Sequence, residues 1–582
     1  MVSFKQRYTA SLTQWRSAVD SGHYDGEFAR IYGVDEVATW RANYLEALAR
    51  FAQCYGGEGQ LLIARCPGQM NVMGMHVDYG GMPSVRLAVR GADTLVVVRA
   101  SENSMRVRLS SLLRCPGESE GRFAPIELDL ATLLPRERVD DRQALMDYAG
   151  KACRQRLEQT GSALADDWSV LVGGQLVYLE SYFRDRISLR GFDGLVWSSV
   201  SPSGGMSSSS ALVVATAIAA MAVNGLVPGR DMPEEDLVDG LGTSEWIRGT
   251  RGGTADHGGM VLGRSGKLVS VGVFPACAQG EAALPDDYVA LVLDSGIMRE
   301  YDEAVKEETV IAYPLGAFIT REFVLPRLQG TPLFAGLVED FANRIVYIRD
   351  ITCENLGLSL PALYQLLAAL PQRTTLAELA AEAEAAGVSD RFEEMYQREI
   401  AGKFQLLLEA TPLFIRRRCV YGLAEQDRVG GMLEYLNEGD TSTALELIRL
   451  SHDGDLDLEI EDQVLAELGE RAEHSDVRAQ LRFLPGGYGR MTPVYDRLVR
   501  VVNNFLDTAG SEAGSVQRLG AGWGGNIGGL VRRSFVEGDQ REGFQQMLRA
   551  EFGGEPEWTV AVPGEGAGLL VGPEGELYGQ PT

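Results

Sequence analysis

The sequence lacks any closely spaced pair of cysteines. Its seven cysteines are scattered and odd in number, at positions 54, 66, 115, 153, 277, 353 and 419. A disulfide framework needs cysteines that can pair, and zinc sites commonly show C-x-x-C spacing. We therefore expect reduced thiols, as in a cytoplasmic protein, and neither a disulfide-stabilised fold nor a cysteine-bound metal.

Positive charge is also scarce. Lysine and arginine total 54 against 81 aspartates and glutamates, which gives a formal charge of −27. A surface of that sign repels the phosphates of nucleic acids and of anionic membranes, so neither is expected as a main partner. It also repels ATP at long range. A nucleotide site in this chain must therefore create its own positive field from helix N-termini, backbone NH groups and Mg²⁺.

No apolar run is long enough to cross a bilayer. The longest, ALVVATAIAAMAV from Ala211, is well short of the ~20 residues that a membrane helix needs, so it predicts a buried helix instead. The first residues, MVSFKQRYTASLTQWRS, lack the apolar core of a signal peptide. Both features favour a cytoplasmic location.

The rest of the composition is typical of a globular protein, and 582 residues predict two to four domains. Residues 1–58, 133–160 and 300–480 have helical patterns of apolar residues. The segment QLLIARCPG predicts a short strand that ends in a Pro-Gly turn at residues 67–68. Strands paired around turns are expected from there to about residue 130.

A loop rich in glycine and serine lies between a predicted buried strand and a predicted buried helix. FDGLVWSSV predicts the strand, SPSGGMSSSS the loop and ALVVATAIAAMAV the helix. In this order, backbone NH groups at the helix N-terminus can bind phosphate, and serine hydroxyls can add contacts to phosphate or Mg²⁺. The alternative, a flexible linker, is not expected between two buried elements. The loop therefore predicts a triphosphate site.

This loop is not a Walker A motif, because no Gly-Lys-Ser/Thr follows the glycines. It resembles the second motif of the GHMP small-molecule kinases (galactokinase, homoserine, mevalonate and phosphomevalonate kinases), P-x-G-x-G-L-S-S-S-A. Serines replace the proline and the first glycine of that motif. The residues that match in ungapped register are Gly205, Ser207, Ser208 and Ser209.

Two further motifs of this family occur in the family's order. ARCPGQMNVMGMHVDYGG resembles the first motif of galactokinases, approximately A-R-A-P-G-R-x-N-L-I-G-E-H-x-D-Y-N-G-G. RLGAGWGGNIGGLV resembles the third, L-x-G-A-G-F-G-G-C-x-x-x-L-V, with Trp523 for Phe and Asn526 for Cys. Residues matching the first motif are Pro67, Gly68, Asn71, Gly74, His76, Asp78, Tyr79, Gly80 and Gly81.

Weaker resemblances to galactokinase lie between the motifs. GTRGGTADHGG resembles the segment with the catalytic aspartate, here Asp256, and LVLDSGIMREYDEA resembles a loop with a sugar-contacting tyrosine, here Tyr301. The resemblance implies an α+β fold, the two-domain GHMP kinase fold with its active site in the interdomain cleft. The implied domains are a helical N-terminal lead-in over 1–45, an N-terminal domain over 46–285, and a C-terminal domain over 286–582 with a helical insert near 360–400.

The resemblance also implies a reaction, the transfer of the γ-phosphate of ATP, with Mg²⁺, to a sugar hydroxyl, which in galactokinases is the anomeric one. Asp256 would accept or orient the hydroxyl proton. An aspartate among glycines is also typical of a turn, so the role depends on the shared register. The implied sugar-binding residues are Met75, His76, Asp78, Gly253 and Tyr301. The implied ATP-binding residues are Gly204, Gly205, Ser207, Ser208, Ser209, Ser210, Gly522 and Gly524, and the implied Mg²⁺ ligands are Ser208, Ser209 and Glu245.

Gln69 is the first departure from the family pattern. It replaces an arginine whose charge, in the family, lies near the catalytic aspartate and the transferred phosphate. Electrostatic donors of this kind are worth roughly 10² to 10³ in rate, so the loss predicts weakened catalysis unless another cation takes over. Arg251, five residues before Asp256, is the hypothesised replacement and would then be a catalytic residue.

Met75 is the second departure. It replaces a glutamate that, in galactokinases, helps to bind the terminal hydroxymethyl group of the sugar. A buried hydroxyl without an acceptor is costly, so methionine favours a sugar that lacks that hydroxyl, such as arabinose or fucose. The retained Asp78 favours a galactose-like arrangement of the other hydroxyls, and galactose itself stays possible in a rearranged pocket.

Two other functions stay open on the sequence. Gln69 favours a catalytically impaired sensor that binds sugar and nucleotide and acts on a protein partner. Asp256, the serine run and the third glycine motif favour a working kinase. A kinase for a non-sugar alcohol is disfavoured by the His76-x-Asp78-Tyr79 run.

Overall fold

The structure is a computed structural model that describes residues 4–101, 104–114, 123–139, 141–160, 168–201, 205–245, 254–298, 302–401, 404, 406–520 and 522–575. The chain divides into two compact units. Unit 1 comprises Met1–Asn71, Arg86–Leu284 and Ala561–Thr582, and unit 2 comprises Val72–Val85 and Pro285–Val560.

The division is not contiguous along the chain, whereas the expected domains were. Residues 1–45 and the last 22 residues, Ala561–Thr582, both belong to unit 1, and Val72–Val85 is an excursion into unit 2. The first motif is therefore split between the two units. The domain bounds 1–45, 46–285 and 286–582 stay a prediction.

The strands, numbered in chain order, are β1 (Ala10–Ser11), β2 (Gln60–Met73), β3 (Ser84–Ala100), β4 (Arg106–Leu113), β5 (Ile126–Asp129), β6 (Phe192–Ser198), β7 (Lys267–Gly272), β8 (Cys277–Ala283), β9 (Tyr288–Asp294), β10 (Gly514–Arg518), β11 (Asn526–Arg532), β12 (Trp558–Ala561) and β13 (Gly568–Leu569).

The α-helices that precede β9 are α1 (Phe4–Tyr8), α2 (Leu12–Asp20), α3 (Asp25–Tyr32), α4 (Val37–Tyr55), α5 (Leu130–Leu133), α6 (Arg142–Thr160), α7 (Ser169–Phe183), α8 (Ser208–Val223), α9 (Glu234–Ser244) and α10 (Ala255–Val261). Those that follow are α11 (Glu303–Ile319), α12 (Leu325–Leu328), α13 (Phe341–Arg344), α14 (Cys353–Leu356), α15 (Leu360–Ala369), α16 (Leu376–Ala385), α17 (Ser389–Glu399), α18 (Ile415–Glu438), α19 (Thr441–Asp453), α20 (Asp462–Glu473), α21 (Pro493–Asp507), α22 (Ser534–Glu537) and α23 (Arg541–Glu551).

Unit 1 is built on one mixed sheet. Its described strands have the order β1-β2-β3-β6-β4-β5, while β13 pairs with β2, and β7 pairs with β3 and β8. β6 is buried along its whole length and leads into the glycine and serine loop and then α8. α8 is apolar on all sides and almost entirely buried, as expected of a helix without a polar face. The predicted order of strand, loop and helix is confirmed.

The expected Pro-Gly turn at residues 67–68 is wrong. β2 continues through this pair to Met73, because the chain makes other contacts there instead of turning. The backbone NH of Gln69 donates to the carbonyl oxygen of Met206 at 3.2 Å, and Gly68 packs against the same residue. β3 likewise continues through Gly91 as one long strand, where paired strands around turns were expected.

The N-terminal helices cover the sheet of unit 1 with a core rich in aromatic residues. α2 begins with a capping box between Ser11 and Gln14, which satisfies backbone NH groups at its first turn. Trp40 stacks on Tyr32 with ring centroids 3.7 Å apart and meets Trp197 of β6 edge-on. Buried aromatic residues of this core are Trp15, Tyr24, Phe28, Tyr32, Trp40, Tyr44, Phe51 and Trp197.

A buried ion pair connects these helices to the sheet. Arg65 Nε of β2 lies 2.7 Å from Asp93 Oδ2 of β3, and both side chains are buried. Tyr32 OH donates to the same oxygen at 2.9 Å, and Arg65 Nη1 donates to the carbonyl oxygen of Gly566 at 2.7 Å. One pair of charges therefore links the N-terminal helices, two central strands and the C-terminal segment of unit 1.

Unit 2 combines a small sheet with a large helical region. Its described strands have the order β10-β11-β9-β12, and all but the last residue of β9 is buried. The amphipathic helix α21 contributes Val499, Val502 and Leu506 to the core on this sheet. Helices α11 to α20 confirm that the region 300–480 is mainly helical. α15, α16 and α17 lie in the region 360–400, where an insert stays a prediction.

No helix among the described residues is both long and apolar enough to span a membrane.

We predict that Asp93→Asn destabilises the protein strongly. The substitution leaves the Arg65 guanidinium buried without its counter-charge, which costs about 3–5 kcal/mol of the free energy of unfolding in comparable cases. Urea denaturation followed by tryptophan fluorescence measures the loss. The control is Glu127→Gln, which removes the exposed ion pair with Arg106 (2.9 Å) and should change stability by about 1 kcal/mol or less. Equal effects of the two substitutions would contradict the importance of the buried pair.

Candidate active site

Asp256 is the centre of a polar cluster in unit 1. It lies in the first turn of α10, and its side chain is 37% exposed, so a substrate can reach the carboxylate. Oδ1 accepts hydrogen bonds from Arg86 and Gln69, and Oδ2 accepts one from Ser207. A carboxylate offers about four lone-pair sites, so acceptor capacity is left for a further hydroxyl group.

Gln69 and Arg86 reach this carboxylate from neighbouring strands, β2 and β3. Gln69 Nε2 lies 3.1 Å from Asp256 Oδ1, and Gln69 Oε1 accepts from Arg86 Nη1 at 2.9 Å. The same Nη1 donates to Asp256 Oδ1 and forms an ion pair with it. Arg86 is 4% exposed, so water screens its charge only weakly.

Ser207 joins the glycine and serine loop to Asp256. Its backbone is left-handed, with φ 55° and ψ 57°, which costs roughly 1–2 kcal/mol for a residue with a β-carbon. Its Oγ donates to Asp256 Oδ2 at 2.7 Å and accepts from Gln69 Nε2 at 3.0 Å. The Ser207 hydroxyl, which the sequence predicts as a contact to phosphate, therefore donates its hydrogen bond to Asp256.

The next three serines form the first turn of α8, where Ser208, Ser209 and Ser210 follow one another. No side chain of the described residues caps this N-terminus, so its backbone NH groups and the helix dipole favour an anion. Gly205 precedes the turn with a positive φ of 68°. The first turn of α8 therefore has the donors that the phosphate prediction requires.

The charge state of Asp256 follows from its neighbours. Burial alone would raise the pKa of the carboxyl group, but the Arg86 charge and the Ser207 hydroxyl, helped by His257, hold that pKa below its usual range. Asp256 is therefore ionised at neutral pH. A carboxylate with a low pKa is better suited to orienting a hydroxyl and stabilising its developing charge than to strong proton abstraction.

Glu245 lies directly after α9, and two neighbouring side chains contact the same one of its carboxylate oxygens. Its Oε1 accepts from Ser210 Oγ at 3.1 Å and lies 3.1 Å from His257 Nε2. His257 is buried beside it, so it supports Glu245 and is not exposed to a substrate. Carboxylate and hydroxyl oxygens are the ligands that Mg²⁺ prefers, and the donor set therefore fits this ion. Because the described residues include no group of three or more metal-ligating His, Cys, Asp or Glu side chains, phosphates and water would supply most of its ligands.

The second half of the first motif lies in unit 2, on an aromatic support. His76 stacks on Tyr488 with ring centroids 5.0 Å apart, and Tyr79 OH contacts Tyr488 OH. Asp78–Gly80 form a single 3₁₀ turn, in which Asp78 Oδ1 accepts from the backbone NH of Tyr79 at 3.1 Å. Tyr488 thus contacts His76, which precedes this turn, and Tyr79, which lies within it.

His76 is held neutral by burial next to a charged pair. Its Nε2 lies 3.6 Å from Asp455 Oδ2, which is 2.9 Å from Arg518 Nε. Neither Asp455 oxygen has a hydrogen bond from the described residues, so the ion pair with Arg518 holds this charge. Burial lowers the pKa of His76 to about 4, although Asp455 acts in the opposite direction. At neutral pH His76 offers a neutral imidazole, which can both donate and accept.

Met75 is buried and is held through its backbone, because its carbonyl oxygen accepts from Tyr421 OH at 2.8 Å. A glutamate lies close by. Glu425 Oε1 accepts from the backbone NH of Gly74 at 3.3 Å, but this side chain is fully buried and paired with Arg428. Glu425 is therefore part of the fold and does not supply the acceptor that the family has at position 75.

Gly522 of the third glycine motif packs against Asp455. Gly522 and Gly524 have positive φ values of 78° and 129°. A β-carbon at Gly522 would lie 2.6 Å from Asp455 Oδ2, so only glycine fits there without displacing the carboxylate. Contact of these glycines with ATP stays a prediction.

Of the site residues that the sequence predicts in unit 1, the structure places Ser207 beside Asp256 and Ser210 beside Glu245. The predictions for Gly204, Arg251, Gly253 and Tyr301 fall outside the described residues. Sequence reasoning missed Arg86 and Asp455. A signal for Arg86 was present, because an arginine in the apolar strand SVRLAV must have a buried partner.

Two family models match this chain. The model described as GHMP kinases N terminal domain matches residues 172–264, and the galactokinase galactose-binding signature matches residues 49–100. The first range contains the serine loop, Glu245 and Asp256, and the second contains the first motif.

Curated relatives cover part of the chain. A galactokinase from Candida parapsilosis is 23% identical over 233 residues, which are 40% of this chain and 39% of that protein. A galactokinase from Candida maltosa is 22% identical over 230 residues, which are 39% of this chain and 90% of that one. The chain therefore spans well under half of the first relative.

The fold has a solved counterpart. The galactokinase of Lactococcus lactis, crystallised in complex with galactose, aligns with a TM-score of 0.54 at 18% identity and covers 90% of this chain and 99% of its own. At this identity the likeness concerns the fold, which is mixed helix and sheet as expected.

We predict that His76 does not titrate near neutral pH. Because its pKa is lowered to about 4, against 6.5 for an ordinary histidine, the unfolded chain binds a proton in this interval that the native protein does not. The free energy of unfolding should therefore rise with pH between these values, by up to about 1.4 kcal/mol per pH unit for one proton. NMR titration of the His76 ring, assigned by its loss in His76→Gln, gives the midpoint. A midpoint near 6.5 would contradict the burial argument.

Proposed function

We propose that this chain, a galactokinase-like member of the GHMP kinases, is an ATP-dependent sugar kinase. It transfers the γ-phosphate of ATP to a hydroxyl group, the anomeric one, of galactose or of a galactose-like sugar such as arabinose or fucose.

One observation supports this proposal above the others. The hydrogen bond between Ser207 Oγ and Asp256 Oδ2, at 2.7 Å, joins the N-terminus of α8 to an ionised and accessible carboxylate. A kinase needs an anion-binding group for the phosphates and a carboxylate at the attacking hydroxyl within the same small region. In this chain one serine connects the two.

The proposed reaction balances as a phosphoryl transfer. The sugar oxygen forms a bond to the γ-phosphorus, while the bond from that phosphorus to the β,γ-bridging oxygen breaks and its electron pair leaves with ADP. The hydroxyl proton becomes acidic as the sugar oxygen bonds to phosphorus, and it is released to water at the end of the transfer. Asp256 orients the hydroxyl, and the NH groups at the first turn of α8 bind phosphate oxygens.

Mg²⁺ would be held by Ser208, Ser209 and Glu245, and it would neutralise charge on the phosphates. Ser210 and His257 both contact Oε1 of Glu245 and fix the orientation of this carboxylate. Orientation of a ligand by its neighbours commonly contributes to metal affinity.

The sugar is proposed to contact His76, Asp78 and the backbone near Met75 in unit 2, with Gly253 and Tyr301 as further predicted contacts. A neutral His76 can donate to one hydroxyl group and accept from another. Met75 offers no acceptor, which supports a substrate without the terminal hydroxyl group, such as arabinose or fucose. The match to a galactose-binding signature supports a galactose-like arrangement of the remaining hydroxyls.

A second candidate is favoured by Gln69, which lacks the charge of the family arginine. In that case the chain is a sensor that binds sugar and nucleotide without transferring phosphate. It would still bind ATP at α8, but turnover would be absent.

The test is an assay of ADP release with Mg²⁺ and a panel of free sugars that includes galactose, arabinose, fucose, galacturonate and glucose. We expect sugar-dependent turnover with at least one galactose-like sugar. Asp256→Asn should lower it by about 10²-fold or more, because the hydroxyl loses its oriented acceptor. Asp185→Asn, which changes an exposed carboxylate of the same unit, is the matched control and should keep native turnover.

The sensor gives the opposite result. In that case ATP or a sugar raises the melting temperature, but no sugar on the panel stimulates ADP release. Asp256→Asn then leaves the rate of ADP release unchanged.

We also predict that Glu245→Gln raises the Mg²⁺ concentration for half-maximal turnover by about 10- to 100-fold, because a neutral amide is a weak ligand for a hard cation. Turnover at saturating Mg²⁺ should change much less. Steady-state rates over a Mg²⁺ titration measure both quantities. The control is Glu234→Gln, at the opposite end of α9. A half-maximal concentration that stays unchanged in Glu245→Gln would exclude this residue as a ligand.

A further inference from the structure

We propose that Arg86 supplies the positive charge that Gln69 no longer provides, and that it positions and polarises Asp256 for catalysis. The inference rests on the proposed function. It assigns to β3 a role that the family's first motif assigns to an arginine on β2.

The contacts support the interpretation that the positive charge beside Asp256 comes from β3 in this chain, and not from the neighbouring strand β2. Gln69 occupies the position of the family arginine and still contacts Asp256 Oδ1 at 3.1 Å. Arg86 Nη1 contacts the same oxygen and is bound to Gln69 Oε1 at 2.9 Å. The glutamine therefore acts as a neutral bridge, and the cation reaches the carboxylate from the adjacent strand.

The helix that presents Asp256 leaves room for both side chains. A β-carbon at Gly259 would lie 3.2 Å from two carbon atoms of Arg86 and 3.4 Å from Gln69 Cβ. Such contacts are tighter than ordinary packing, so a larger residue would push these side chains away from α10. Gly259 thus permits the close approach of both strands to this helix.

Arg86 is the dominant cation at this carboxylate among the described residues. The charged groups that act on Asp256 are Arg86 on β3 and His257 on its own helix, and the latter is turned toward Glu245. Gln69 and Ser207 contribute neutral donors from β2 and from the loop before α8. Removing Arg86 therefore leaves Asp256 with neutral donors and the His257 imidazole, which is bound to Glu245.

The alternative is that Arg86 is an ordinary buried ion-pair partner that only stabilises the fold. The two roles predict different results. A structural partner affects stability and leaves turnover by folded protein unchanged. A catalytic support lowers kcat in folded protein and shifts the titration of Asp256.

The test compares four proteins: native, Arg86→Gln, the exchanged variant Gln69→Arg with Arg86→Gln, and Arg90→Gln. Arg90 lies four residues along β3 and contacts Ser265, away from Asp256, so it controls for loss of an arginine from this strand. For each protein we would measure kcat against pH. The titration of Asp256 is followed by ¹³C NMR of its carboxyl carbon, assigned by its loss in Asp256→Asn.

We expect Arg86→Gln to lower kcat by about 10² to 10³, with a smaller change in the KM for sugar. The acidic limb of the kcat profile and the Asp256 midpoint should both move to higher pH, because the carboxylate has lost its cation. The exchanged variant should have a kcat at least about tenfold above that of Arg86→Gln, and its Asp256 midpoint should return toward the native value. Arg90→Gln should match the native protein.

The proposal is overturned if folded Arg86→Gln keeps kcat within about threefold of native with the same midpoint, since comparable donors contribute far more. It is also overturned if the exchanged variant is no better than Arg86→Gln. If Arg86→Gln does not fold, the exchanged variant decides. Native-like turnover and midpoint then support the proposal, and turnover as low as that of Asp256→Asn contradicts it.

Failure of the proposed function gives a separate result. If the native protein transfers phosphate to no sugar, the kinase proposal and the catalytic role of Arg86 fail together, and the carboxyl titration decides only whether Arg86 supplies the positive charge at Asp256. A higher midpoint in Arg86→Gln then supports the charge assignment, and an unchanged midpoint rejects it.

Discussion

The ion pair between Arg86 and Asp256 is the interaction on which the candidate site depends. It keeps a partly exposed carboxylate ionised in a place where burial alone would raise its pKa. It also fixes where β2, β3 and α10 meet, because Arg86 contacts both Asp256 and Gln69. A buried cation and an accessible anion form an asymmetric pair, in which the protein retains the arginine and offers the carboxylate to a ligand.

The loop before α8 is adapted to this pair. Ser207 adopts a left-handed backbone, and strain of this kind persists only where the surroundings compensate for it. The compensation is visible in two hydrogen bonds of its hydroxyl, to Asp256 and from Gln69, and in a third between the Gln69 NH and Met206. The anion-binding first turn of α8 begins at the next residue, Ser208. Charge, loop conformation and the anion-binding helix end are therefore parts of one arrangement.

Much of the fold could be predicted from the sequence because local signals determine it. The buried strand, glycine turn and apolar helix around Ser207 follow from composition and order alone. The continuation of β2 past Pro67 could not be foreseen, because it depends on a contact with Met206, which is distant in sequence. The apolar strand around Arg86 indicated that this residue has a buried partner, but it could not show which residue the partner is. Its partner lies 170 residues away, and only the adjacency of β2 and β3 places its charge beside Gln69. Sequence reasoning recognised the missing charge at position 69 and named Arg251, which lies outside the described residues, as its replacement, but it did not consider Arg86.

A double-mutant cycle on kcat tests most directly whether Arg86 acts through Asp256. The four proteins are native, Arg86→Gln, Asp256→Asn and the combination of both substitutions, each assayed with the sugar that gives the fastest turnover. Residues that work as one unit show strongly non-additive losses. The account predicts that the double variant is no slower than Asp256→Asn, within about a factor of three, because an arginine without its carboxylate has nothing left to polarise. If the loss of kcat in the double variant equals the product of the two single losses, the account is contradicted. Arg86 would then contribute to catalysis independently of Asp256.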